Sequence, residues 1–101
     1  MNIQINAANF ELTEHLKEAI HEKLALKIDQ LIPNFNDEIK MAFLHIEKDK
    51  KYKNYTLKFD MTLPGHKNTF YAEACHHDLI SAIVDIREAI EKQIKKYKHA
   101  D

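Results

Sequence analysis

Seven histidines and one cysteine are the residues of this 101-residue chain with the most direct chemical potential. His76 and His77 are adjacent, while His15, His21, His45, His66 and His99 are scattered. A zinc site needs spaced ligands that converge on one point, and neither a CxxC nor an HExxH arrangement occurs. Neighbours on a strand point apart. Cys75 beside His76 has the residue types of a nucleophile and its base, but no nucleophile elbow or glycine-rich oxyanion loop accompanies the pair. A single glycine rules out a Walker A loop and a GxGxxG turn. The expectation is a protein that is not an enzyme and holds no metal and no cofactor, with Cys75 an ordinary strand-end thiol.

What remains is lysine. Lys92, Lys95, Lys96 and His99 recur at i, i+3, i+4 and i+7 and so share one face of a helix, with Lys98 flanking it. Lys23 and Lys27 lie one turn apart on an earlier helix. Flexible ammonium groups suit phosphate contact, which positions a protein on a nucleic acid without reading bases. Lysines in a last turn also complement the negative end of the helix dipole. An RNA contact therefore requires that both helices offer their lysines on one surface.

The elements that would carry them follow from periodicity. Ile3 and Ile5 alternate with Asn2, Gln4 and Asn6, a short strand signal. From Thr13 the period lengthens: Leu16, Ile20, Leu24, Ile28 and Leu31 predict an amphipathic helix, capped by Thr13 and ended before Pro33. After a loop at Pro33–Asp37, Ile39–Lys48 reads as a strand with Ala42, Leu44 and Ile46 on one side and Met41, Phe43 and His45 on the other. The lysine-rich stretch 48–54 is a hairpin connection to Tyr55, Leu57, Phe59, Met61 and Leu63. Pro64-Gly65 marks a turn into a fourth strand, Phe70–Cys75. Asp78 then caps a helix whose stripe is Leu79, Ile83, Ile86, Ile90 and Ile94, running to about Tyr97. The order is βαβββα, an α+β two-layer sandwich with a four-stranded sheet and two helices on one face.

Composition sets the outer bounds. Apolar residues make up 45% and charged residues 31%, as in one compact globular domain spanning residues 1–101. No apolar run reaches the roughly 18 to 20 residues of a membrane span, and the N-terminus lacks a signal-peptide pattern. With one cysteine, a cytoplasmic location is expected. Net charge is only -1, yet the charges are segregated. Residues 1–38 and 72–91 each carry -4, whereas 39–71 and 92–99 each carry +4. Such a surface fits one shaped anionic partner better than any nucleic acid at large.

Several segments also resemble a known family. Ile3-x-Ile5 followed by Asn9-Phe10-Glu11-Leu12-Thr13-Glu14, Leu44-x-Ile46-Glu47-Lys48, and Glu73-Ala74-x-x-x-Asp78-Leu79-x-x-Ala82-Ile83 with Ile90-Glu91-Lys92-Gln93-Ile94-x-Lys96-Tyr97-Lys98 are similar in order and spacing to the ribosome hibernation factors. These are also called the ribosome-associated translation inhibitor or sigma-54 modulation family. The resemblance implies the same βαβββα fold, similar to a double-stranded RNA-binding domain. It further implies a factor that binds rRNA of the small ribosomal subunit at the decoding region, blocks mRNA and tRNA, and inhibits translation in stationary phase or stress. By position the implied rRNA contacts are Lys23, Lys92, Lys96 and Lys98; Lys95 and Lys27 join them by helical geometry.

The match has departures. Val84 stands where the family usually has an acid and Ala89 where a helix lysine is expected, so that one phosphate contact is either missing or supplied by Arg87. The family's glycine after the first strand is replaced around Ala7 and Ala8. Ending soon after the second helix, the chain resembles the family's short form, which implies a monomer off the ribosome and dependence on a separate ribosome modulation factor for ribosome pairing. Two other readings compete. One is a protein-interaction regulator of transcription using the open sheet face with Met41, Phe43 and Tyr71; the other is an enzyme using Cys75 with His76 or His77.

Overall fold

The structure, a computed structural model, describes residues 1–32, 41–63 and 69–99, with the side chains of Lys98 and His99 outside the description. The expected loop at Pro33–Asp37, the strand positions Ile39 and Lys40, and the Pro64-Gly65 turn lie outside the described residues. Four strands form one sheet in the order β1-β2-β3-β4. They are β1 (Asn2–Ala8), β2 (Met41–Lys48), β3 (Tyr55–Thr62) and β4 (Phe70–His76). β2, β3 and β4 pair antiparallel as a meander, whereas β1 pairs parallel to β2, with Ile3 opposite Ala42 and Ile5 opposite Leu44. A parallel pair needs a crossover, and the first helical segment supplies it.

That segment is one continuous rod of three parts: α1 (Glu14–Ile20), a π-helical turn (His21–Ala25) and α2 (Leu26–Leu31). The uniform α-helix read from the apolar stripe is thus corrected in the middle, where the Leu26 N–H donates to the His21 carbonyl, five residues back. The reason lies in the stripe itself. Leu16, Ile20, Leu24 and Ile28 are spaced by four each time, and at 3.6 residues per turn each step overshoots by about 40°. A π turn winds less per residue and returns the stripe to the core. Ile20, Leu24, Ala25 and Ile28 are all buried as a result.

Both ends of this rod are set locally. The Leu16 N–H donates to Thr13 Oγ1 at 3.2 Å, the N-cap that the sequence predicts. Ile32 leaves the helix at φ -130°, as a residue ahead of proline should. Asn9, just after β1, takes φ 69°, so the left-handed position in this turn falls to an asparagine, a residue that tolerates it.

The second helix, α3 (Leu79–His99), is regular throughout. Ile83, Ile86, Ile90 and Ile94 are fully buried between it and the sheet, a gross gain on the order of 8 kcal/mol. Ala42, Leu44, Ile46, Leu57, Phe59 and Met61 answer them from the sheet. The opposite sheet face, with Met41, Phe43 and Tyr71, stays exposed.

Candidate nucleic-acid interface

Because β1, β2 and β4 share one direction, the rod and α3 both run back the other way, and they lie side by side in contact. The helices are thus neighbours on one sheet face, the arrangement that a shared lysine surface requires. Lys23 is exposed on the π turn and Lys27 on α2. Lys92, Lys95 and Lys96 are exposed on the last turns of α3. Among the described residues, no carboxylate lies within 4 Å of any of these five.

The lysines are strung along the helix pair rather than gathered in one patch. Lys23 lines a shallow groove with His15, Glu18, Ala19, Glu22 and Ile80, beside the beginning of α3. Lys92 is twelve residues beyond Ile80, about 18 Å along the helix axis. A partner touching both ends must therefore follow the helices for several phosphate spacings. Glu18 and Glu22 beside Lys23 make that end of the surface mixed in sign; at the α3 end Glu91 is paired with Arg87, and no acid follows it among the described residues of the helix.

The α3 end is also held firmly. Gln93 makes a double hydrogen bond with the backbone of Tyr71: the Tyr71 N–H donates to Gln93 Oε1 at 3.0 Å, and Gln93 Nε2 donates to the Tyr71 carbonyl. This amide occupies backbone groups on the outer edge of β4, where a neighbouring strand would otherwise bond. One turn later, Tyr97 meets Phe70 edge to face, with ring centroids 5.9 Å apart. Lys92, Lys95 and Lys96 thus project from a helix fastened to the sheet at two successive turns. Nothing in the sequence marks Gln93 for this role, since its partner is backbone.

Arg87 is placed differently. Its side chain is three-quarters covered, with Nε 3.2 Å from Glu91 Oε1 and the guanidinium 3.9 Å from Glu88. The guanidinium faces acids of its own helix. Lys98's side chain is outside the described residues.

Among the described histidines, His15 lies on α1, His21 on the π turn and His45 on β2, while His76 and His77 follow Cys75 at the end of β4. Among the described residues, no three His, Cys, Asp or Glu side chains converge on a metal position. Thr56 Oγ1 donates to Cys75 Sγ at 3.8 Å. His76 Nδ1 accepts from the Asp78 N–H at 3.0 Å and stacks, tilted, on His77. Asn6 Nδ2 is 3.2 Å from His45 Nδ1 across the open face. These imidazoles shape turns and strand pairs.

Comparison with known proteins agrees with this architecture. The profile of the family described as sigma 54 modulation protein / S30EA ribosomal protein matches residues 3–100. A ribosome hibernation promotion factor of Staphylococcus aureus is 33% identical over 98 residues, which cover 97% of this chain and 48% of that protein. The chain thus spans about half the length of that curated relative. Among solved structures, the N-terminal domain of Thermus thermophilus Protein Y superposes with a TM-score of 0.74 at 26% identity, covering 96% of this chain and 99% of that one. A ribosomal subunit interface protein of Coxiella burnetii gives a TM-score of 0.73 at 20% identity over 99% of this chain and 100% of its own, a likeness of fold.

Proposed function

Since the chain belongs to the sigma 54 modulation protein / S30EA ribosomal protein family, we propose that it is a ribosome hibernation factor that acts by binding and not by catalysis. It binds rRNA of the small ribosomal subunit at the decoding region, where it excludes mRNA and tRNA and inhibits translation under stress or in stationary phase. Residues 1–101 act as one ribosome-binding domain working in the cytoplasm, monomeric off the ribosome; no helix among the described residues is long and apolar enough to cross a membrane. A separate ribosome modulation factor is its partner where ribosomes pair.

The observation that carries this reading is the exposed trio Lys92, Lys95 and Lys96 on a helix pinned to the sheet edge. Flexible ammonium groups carried on a helix fixed in this way contact phosphates with little further ordering of the backbone. Lys23 and Lys27 continue the contact along the rod, with Arg87 and Lys98 as further members of the set. The test is co-sedimentation with washed small subunits across a salt series. Binding is expected to weaken as salt rises, and the K92E/K95E/K96E protein should bind at least tenfold more weakly while melting like the parent. A folded triple variant that still binds as tightly would remove this surface from the account.

One specific observation favours a second reading, a protein partner in transcription: Met41, Phe43 and Tyr71 are each nearly half exposed on the open sheet face. Recovery of a transcription component after ribonuclease treatment, without ribosomal proteins, would favour it.

A further inference from the structure

The hairpin joining β2 to β3 holds four lysines, Lys48, Lys50, Lys51 and Lys53, and one tyrosine. Tyr52 is 66% exposed, the most open of the exposed large hydrophobic residues among those described. Its setting is an ordered turn. The Asp49 N–H donates to the Asn54 carbonyl at 2.8 Å and the Lys53 N–H to the Asp49 carbonyl at 2.9 Å, closing a four-residue loop. Asp49 Oδ1 accepts from the backbone N–H of Lys51 at 2.8 Å and of Tyr52 at 3.4 Å. The only acid in the loop is therefore bonded within the turn; Lys50, Lys51 and Lys53 are exposed, while Lys48 is half-buried with its Nζ 5.4 Å from the Tyr55 ring centroid. Lys51 Nζ stands 5.3 Å from the centroid of the Tyr52 ring. A cation on one face orients the ring, and its exposure leaves room for a planar group on the other.

Lys53 supplies an independent sign. It holds φ 57°, in the left-handed region, where a glycine would fit this loop without steric cost. A lysine standing at a position suited to glycine points to a use for its charge.

We propose that this hairpin tip is a second RNA-binding site, in which Tyr52 stacks on an unpaired base while Lys50, Lys51 and Lys53 contact the flanking phosphates. Stacking on an exposed aromatic inside a basic surface is the chemistry of single-stranded RNA recognition and tolerates any base. The tip stands at the end of the sheet where β1 finishes and both helices begin, because β1 and β2 are parallel and Ala8 lies opposite Glu47. The α3 lysines are at the other end, a strand length of roughly 25 Å away. A small duplex ligand would not reach both; a large folded RNA would. On the ribosome the inference rests on the function proposed above, and there the tip is a separate anchor on the same rRNA.

The test uses the full chain with two probes, washed small subunits and a twelve-nucleotide oligouridine. Tyr52→Ala should weaken subunit binding by about tenfold without changing the salt slope, because stacking releases no counterions. K50A/K51A/K53A should flatten that slope by about 0.7 for each phosphate the variant no longer neutralises. Lys53→Gly should raise the melting temperature yet bind more weakly, which separates a binding role from a folding one. Photocrosslinking to the oligouridine should map to the 48–54 peptide. Wild-type-like subunit binding by Tyr52→Ala would overturn the tip site and leave the proposed function standing. A parent that ignores subunits but crosslinks through Tyr52 would do the reverse. Crosslinks confined to α3 would also overturn it.

Discussion

The two helical rods of this protein bury stripes of nearly equal length in different ways. In the rod, three steps of four accumulate about 120° of drift, and a π turn at His21–Ala25 takes it out. In α3 the steps from Leu79 run four, three, four, four, so the single step of three resets the phase and the helix needs no irregular turn. What this teaches is that the backbone yields to the stripe: where the spacing misfits an α-helix, one turn changes winding and the buried residues stay put. It also gives the lysines different supports, Lys23 on the irregular turn and Lys92, Lys95 and Lys96 on a regular one.

The largest test of the difference is a pair of single-residue deletions. Removing Glu22, exposed on the π turn, leaves steps of four, three, four, the same rhythm as in α3. That protein should fold as a plain α-helical rod within about 1 kcal/mol of the parent, by urea denaturation. Deleting exposed Glu88 from α3 instead turns Ile90, Ile94 and Gln93 by about 100° relative to the sheet. It should cost about 4 kcal/mol from the two isoleucines alone. If both deletions proved equally damaging, the π turn would not be a phase correction.

A smaller effect is expected at the fastening of α3. Gln93→Ala removes both side-chain hydrogen bonds to Tyr71 at the β4 edge, which water can replace in part, so the loss should be about 1 kcal/mol. Hydrogen exchange at the Tyr71 amide should quicken, and subunit binding should weaken with it, whereas the Leu26 amide in the rod should be unaffected.

The smallest effect separates the two N-caps. Thr13 caps the rod with a hydroxyl that does not titrate in acid, while Asp78 caps α3 with a carboxylate. The Ser81 hydroxyl, 2.7 Å away, holds the Asp78 carboxyl below the usual carboxylate range; burial opposes this, and the N–H groups of Ile80 and Ser81 assist it. A depressed folded-state value means that the stabilisation is present above the unfolded value, about pH 4, and is lost as pH falls through the lower folded one. The melting-temperature advantage of the parent over Asp78→Ser should accordingly shrink below about pH 4, and a Thr13→Ser pair should show no such trend.

Much of the architecture was legible because burial imposes a period. The alternation of Leu57, Phe59 and Met61 and the α3 isoleucines predicted both layers, and Thr13 and Asp78 marked two helix starts. The π turn was legible only in hindsight, since steps of four also suit a regular helix over two turns. The α3 lysines could be read because a helix converts spacing into a face. Tyr52 could not, for a turn has no period, and the 48–54 stretch read simply as a connection. Gln93 bonds to main chain, which has no letter in a sequence.

The parallel pairing of β1 with β2 also sets an order of events in synthesis. Asn2 finds its partner Met41 thirty-nine positions later, while Lys48 and Tyr55 meet across a short hairpin. Closing the short loop precedes closing the long one, because the entropy cost grows with the length enclosed. During synthesis β1 thus waits, unpaired, until the crossover and β2 have followed it, and the meander offers it an edge only then.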